Sequence, residues 1–353
     1  MMMRVCGAEK DTSDCAPDIE VRFKSKSLPT VSWRHLGEHD AVHADERFAI
    51  ETADVASPIE FDLQNVFSDG PIRITLPSGT GGRIPLLRSI INSRCVDKQI
   101  LGLHGSAFTL GDHGYMVCGW PRGGKTGVML AYLLQGAEYL AAEWVYVAAD
   151  GQTMHGVPEP IRLRDWHLRQ GASQLKQVRL KDKFRLTSWK HAAGVATVAA
   201  QVSGRVLPKI AKSARKLAAS VDRNRYIDRP AADWLGQDLR PRSASLDTIL
   251  LAGTHDRSEI CVTPLTAEVA KRRLIALHDE DLDDLRKAVR RWSYAIADMS
   301  DCVGAFEQKR DVLFDRLLQD KQVYAVDHPH NANLADLYQT LQSNRKESCL
   351  LSL

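Results

Sequence analysis

The sequence lacks any run of about eighteen apolar residues, so no segment of it reads as a membrane-spanning helix. Its polar start, MMMRVCGAEKDTSDCAPD, lacks the apolar centre of an export signal, which predicts a cytoplasmic chain. A disulfide or zinc pattern is missing too. The seven cysteines (Cys6, Cys15, Cys95, Cys118, Cys261, Cys302 and Cys349) are odd in number and widely spaced, with no C-x-x-C pair. Nor is there a strong charge bias. Lys and Arg number 47 against 44 Asp and Glu, and a formal +3 is too small to argue for nucleic acid by itself. There is no internal repeat. What remains is ordinary: 353 residues, 44% apolar and 26% charged, which excludes a collagen-like or wholly disordered chain. The length predicts about two domains, or one large one.

Residues 1–18 read as a loose arm. Ile19–Phe23, Ile59–Leu63 and Ile72–Leu76 alternate apolar and polar residues, with turn-formers between them, and this period of two predicts half-buried strands. Pro77–Gly82 reads as a loop. Apolar residues at 84, 86, 87, 90 and 91 then predict a helix over Ile84–Arg94. Residues 19–94 are therefore a small β-rich region with a helix at its end. Beyond it, Gln99–Leu110 and Tyr115–Cys118 read as strands, and Lys125–Gln135 as a helix that Gly136 terminates. Tyr139–Ala148 reads as one buried strand interrupted only by Glu143. Strand, glycine loop, helix and buried strand predict an α/β nucleotide-binding fold. Further on, Ser245–Gly253 and Gln322–Val326 are expected strands. Val269–Ala297 is an expected helix broken near His278–Asp281, and Asp311–Leu318 and Ala332–Leu341 are expected helices.

The chemistry concentrates at Gly119-Trp120-Pro121-Arg122-Gly123-Gly124-Lys125-Thr126, which satisfies G-x-x-x-x-G-K-[ST] and is followed by Gly127. Glycines let consecutive backbone N–H groups surround a β-phosphate that a Cβ would obstruct. Lys125 can reach the β- and γ-phosphates, the Thr126 hydroxyl can ligate Mg²⁺, and the helix start adds its dipole. The motif follows a strand and opens a helix, the arrangement it requires. No L-S-G-G-Q or N-K-x-D segment accompanies it, which argues against an ABC ATPase and a switch GTPase.

The order Leu103-His104-Gly105, strand, glycine loop, helix, Gly136-Ala137, Tyr139-Leu140 and Glu143 resembles the catalytic domain of HPr kinase/phosphorylase and its smaller relatives. Pro158–Arg164 looks like the segment that follows there, and the terminal helix–strand–helix around Val323–Val326 is similar to how those chains close. The resemblance covers residues 95–345. It implies the P-loop domain shared with phosphoenolpyruvate carboxykinase, and an ATP- and Mg²⁺-dependent kinase acting on a serine-like hydroxyl of a peptide, protein or small metabolite. By that resemblance Lys125, His104 and Glu143 are the catalytic candidates, Thr126 and Glu143 the metal ligands, and a homo-oligomer is implied. The family's acidic pair falls here on Ala142 and Glu143. The missing first acid implies an alternative, a catalytically weakened nucleotide-binding adaptor. A nucleotide hydrolase is a third reading.

Residues 171–220 form a basic insertion with eleven Lys and Arg against one acid, Asp182. Such a run reads as a solvated face, or as a contact for an acidic peptide or anionic surface. With only Phe184 and Trp189 as aromatic residues, it does not favour single-stranded nucleic acid. Asp256 is a weaker metal-ligand candidate, and Arg162 and Arg164 could meet an anionic substrate or another subunit.

Overall fold

The alternating stretches near the start of the chain are strands. The computed structural model describes residues 17–23, 32–37, 41–52, 57–68, 70–78, 84–157, 159–170, 188, 226–232 and 243–350. In it, β1 (Ile19–Phe23), β2 (Arg34–His35), β3 (Ala41–Ala44), β4 (Arg47–Ile50), β5 (Ile59–Asp62) and β6 (Ile72–Leu76) form a six-stranded sheet ordered β1-β6-β5-β4-β3-β2. The pairings are antiparallel except β1 on β6, which is parallel from Ile19↔Ile72 to Phe23↔Leu76. Period two works as expected: Ile72, Ile74 and Leu76 are buried while Arg73 is exposed.

The first helix, α1 (Leu87–Asp97), lies a few residues later than the apolar stripe indicates, and its buried face is partly polar. Ser89, Asn92, Ser93 and Arg94 are buried beside Ile90 and Val96. Tertiary hydrogen bonds make this tolerable. Arg94 donates to the carbonyls of Asn65, Ser68 and Gly70, and Ser93 to that of Val66.

The chain continues with β7 (Leu101–Leu110), β8 (His113–Cys118) and α2 (Lys125–Leu133), the expected strand, strand and helix. Gly136 closes α2 in the left-handed region, with Ala137 N–H returning to the Tyr132 carbonyl. Next come β9 (Glu138–Ala141) and β10 (Trp144–Val147), two strands where one was expected. The chain bends at Ala142–Glu143, and the β9 pairing with β7 shifts register between Ala107 and Phe108. There follow β11 (Thr153–Gly156), β12 (Ile161–Leu163), α3 (Asp165–Gln170), β13 (Ile227–Arg229), β14 (Ser243–Ser245), β15 (Thr248–His255) and β16 (Cys261–Pro264). The predicted loop at Pro77–Gly82 lies outside the described residues beyond Ser78, as does residues 171–220 apart from Ser188.

The long helix α4 (Ala267–Ala295) is unbroken, contrary to the expected interruption at His278–Asp281. No Gly or Pro stands there to break it. His278 falls on the buried stripe Leu274, His278, Leu282, Leu285, while Asp279 faces Arg310 at 2.6 Å and Arg286 at 3.0 Å. Thr266 caps the start by accepting the Val269 N–H. Helix α5 (Ser300–Leu318) begins eleven residues before the expected Asp311, and the Asp298 carboxylate accepts the Ser300 N–H at its entrance. The chain then forms β17 (Gln322–Pro329) and α6 (Leu334–Leu350), whose start is capped by Asn333.

These elements sort into two compact units. The first takes the described residues within 1–104, 146–154 and 266–321. It holds the β1–β6 sheet with α1, α4 and α5, and it is tied by ion pairs such as Lys309–Asp97 at 2.9 Å and Arg286–Glu307 at 2.9 Å. The second takes those within 105–145, 155–265 and 322–353. A second sheet has the order β14-β11-β10-β7-β8-β15-β17-β16, with β9 paired to β7. Its second-unit part includes β8, β15 and β17, mutually parallel in that order. Under α2, Phe108, Tyr115 and Tyr132 stack with ring centroids 4.6–5.2 Å apart, and Tyr338 of α6 meets Tyr132 edge-on. The protein is thus a mixed α/β structure with several sheets and, among the described residues, six helices. No described helix is long and apolar enough to cross a membrane.

Candidate functional site

The glycine loop stands where a parallel strand delivers it. Strand β8 ends at the buried Cys118, in register with Leu251 of β15, and that residue in turn pairs Ala325 of β17. Across β7, Gly105 opposes Cys118 and donates its N–H to the Glu143 carbonyl at 3.1 Å. One rung of the sheet therefore carries Glu143, Gly105, Cys118, Leu251 and Ala325, and the chain turns into the loop immediately beyond it.

Two glycines there are required by space. A Cβ on Gly119 would lie 2.4 Å from the Ala252 carbonyl oxygen. Gly124, the N-cap of α2, has φ +91°, and a Cβ on it would lie 2.1 Å from Nε2 of His328. Arg122 is also left-handed, at φ +68°, which is uncommon for a residue with a side chain. Left-handed residues at 122 and 124 flank Gly123, and alternation of left-handed with other residues is the kind of backbone from which anion-binding nests are built. The Gly123 N–H closes the turn on the Trp120 carbonyl at 2.8 Å.

Lys125 opens the helix and is buried. Its Nζ donates to the Gly119 carbonyl at 2.8 Å and the Trp120 carbonyl at 3.2 Å, so the ammonium lies along the loop's own backbone. Thr126 is half-buried in the first helical turn, and Gly127 is buried under Trp166. Trp120, Pro121 and Arg122 are exposed, with Trp120 at 52%. The nine expected residues 119–127 run from the end of β8 through the loop into the first turn of α2.

Glu143 sits at the bend that ends β9, half-buried, with Oε1 3.7 Å from the guanidinium of Arg162. Arg162 itself pairs Asp228 across β12 and β13 and lies over the Tyr226 ring at 4.4 Å. Nearby, the Tyr139 hydroxyl donates to the Glu159 carbonyl at 2.7 Å, and burial first, then the Glu159 carboxylate, pushes its pKa up. Arg164 follows β12, and its N–H donates to Nδ1 of His167 at 3.1 Å. Asp256 is exposed just past the end of β15. His104 lies in the first unit, half-buried, with Nδ1 3.4 Å from the Asp281 carboxylate of α4. Among the described residues, no three His, Cys, Asp or Glu side chains converge as a metal cluster.

Sequence reading missed the residues that wall the loop from neighbouring strands. Ala252 and Thr254 come from β15 and His328 from β17. The strand signal at Val323–Val326 was visible, but nothing in Asp327-His328-Pro329-His330 says which loop it faces. Comparison with known proteins adds no second line: no family model matches the chain, and no curated protein matches it significantly.

Proposed function

We propose that the chain is an ATP- and Mg²⁺-dependent kinase of the HPr-kinase-like type, with the P-loop architecture shared with phosphoenolpyruvate carboxykinase, and that it transfers a γ-phosphoryl group to a serine-like hydroxyl. One observation carries the reading. A loop whose glycines cannot be replaced without striking Ala252 or His328 joins a parallel strand to a helix that begins with Lys125 and Thr126. Backbone amides at a helix entrance bind phosphate, and phosphoryl transfer depends mainly on positioning and charge stabilisation.

In this reading Lys125 leaves the Gly119 and Trp120 carbonyls for the β- and γ-phosphates. A P-loop magnesium takes few protein oxygens beside phosphate and water, and the donors this reading would use are Thr126 and Glu143. The ion would neutralise phosphate charge. By the resemblance His104, with Nδ1 3.4 Å from the Asp281 carboxylate, is the candidate to assist at the acceptor hydroxyl. Lys125→Ala is expected to abolish MgATP binding in calorimetry, and unchanged affinity in that variant would refute the assignment.

A second reading, a nucleotide-binding adaptor with little transfer, is favoured by Ala142 and by the engagement of Glu143 with Arg162. Labelled ATP with candidate acceptors separates the two. Substantial transfer by the native chain eliminates the adaptor, whereas transfer appearing only in Ala142→Asp supports it.

A further inference from the structure

The ring packed against Gly124 is not part of the motif. His328 is fully buried, and its Nε2 stands where a Gly124 β-carbon would be, 2.1 Å from that position, beside the Thr254 methyl. Its Nδ1 lies 2.7 Å from the Pro329 carbonyl. A carbonyl only accepts, so Nδ1 carries the ring proton and Nε2 presents a bare lone pair. That lone pair has no hydrogen-bond partner among the described residues. A buried polar atom left unpaired is costly, and it sits at the N-terminus of a nine-residue helix, where an anion is favoured.

The titratable groups around the ring come from three elements. Strand β15 brings His255, β17 and its end bring Asp327 and His330, and α2 begins with Lys125, whose ammonium is held by the loop carbonyls. His255 and His330 oppose a charge on the ring, and Asp327 favours one. A phosphoryl oxygen at the helix entrance adds the negative charge that tips this balance.

We propose that His328 is a nucleotide-binding residue outside the motif, contacting the phosphate chain through a protonated Nε2, so that binding takes up one proton. The inference rests on the P-loop reading of residues 119–126. The proton comes from solvent and adds to the Nε2 lone pair, and the resulting N–H donates to a phosphoryl oxygen with no bond of the nucleotide broken. Burial first, and then His255 and His330, hold the free ring's pKa below the ordinary histidine value, so at pH 7.5 it is uncharged before the ligand arrives.

The test is calorimetric titration of the full chain with MgADP at pH 7.5, in buffers of low and high ionisation enthalpy. The native chain is expected to show a buffer-dependent enthalpy approaching one proton taken up, with affinity falling up to about tenfold per pH unit above neutrality. His328→Asn keeps a donor for the Pro329 carbonyl but ends short of Nε2. It should bind more weakly, with a buffer-independent enthalpy. His328→Gln places a neutral N–H near Nε2 and should bind without proton uptake. A buffer-independent enthalpy in the native chain overturns the inference, and so does unchanged uptake in both variants. The native series requires no substitution, so it decides the matter even if the variants misfold. If native protein binds and Lys125→Ala does not, the loop reading survives either result. Native protein that binds no MgADP sinks both.

Discussion

Gly124 shows how much a single residue is asked to do. It holds φ +91° at the helix entrance while the His328 ring occupies the space a side chain would need. Gly124→Ala is expected to cost about 1–2 kcal/mol from the left-handed backbone alone. The overlap with Nε2 adds to this, because the obstacle is a packed ring rather than the free end of a flexible chain. Urea unfolding should report the loss, and calorimetry should show MgADP binding weakened along with it. Adding His328→Ala should restore part of the stability by making room, while leaving the backbone strain in place. If Gly124→Ala is as stable as the native chain, the loop does not have the conformation described. The turn at Gly124 and the places of Lys125 and Thr126 at the helix entrance were legible because a motif is local: eight consecutive residues define them. His328 was not legible, because its neighbour is 204 positions away and only strand pairing joins them.

At the scale of elements, α4 carries a similar lesson. A polar run, His278-Asp-Glu-Asp281, read as a break. In the folded chain His278 lies on the buried stripe, the Asp279 carboxylate meets Arg310 and Arg286, the Asp281 carboxylate meets His104, and the Asp281 carbonyl accepts from the Ser89 hydroxyl. Neither ring nitrogen of His278 has a hydrogen-bond partner among the described residues, and burial first, then Arg310 and Arg286, lowers its pKa to about 3. The unfolded chain binds the proton near pH 6.5, so between about 6.5 and 3 it holds more protons than the native state. Stability therefore falls as pH drops through that window. His278→Leu removes this contribution. The variant's advantage over the native chain should grow by about 2 kcal/mol between pH 7 and pH 5 in urea unfolding. An advantage that does not change with pH would show that the ring is not buried in this way. The boundary of α1 moved for a related reason. Arg94 and Ser93 are buried on hydrogen bonds to carbonyls of residues 65–70, partners that no helical periodicity can announce. The split of β9 from β10 likewise follows from pairing with β7, not from the apolar run itself.

For the whole molecule, ligand binding is the available handle. A nucleotide that binds only the folded state stabilises it by about 2.7 kcal/mol at a hundred times its Kd. MgATP should accordingly raise the thermal unfolding midpoint of the native chain and leave that of Lys125→Ala unmoved. An equal shift in both would mean that the nucleotide binds somewhere other than the glycine loop. Each unit gathers segments far apart in sequence, with α4 and α5 joining the β1–β6 sheet and β17 and α6 joining β8 and α2. An apolar stripe says that a helix buries one face, but not against which partner.

By itself the sequence determined the alternating strands, the strand–loop–helix junction and the lysine and threonine at its end, because each depends on residues within a turn or two of one another. The order of the strands, the unbroken α4, the split after β9 and the imidazole pressed against Gly124 were decided only by tertiary structure. Those features arise where hydrogen-bond pairing and packing bring distant segments together, and local propensity holds no information about a partner it has not yet met.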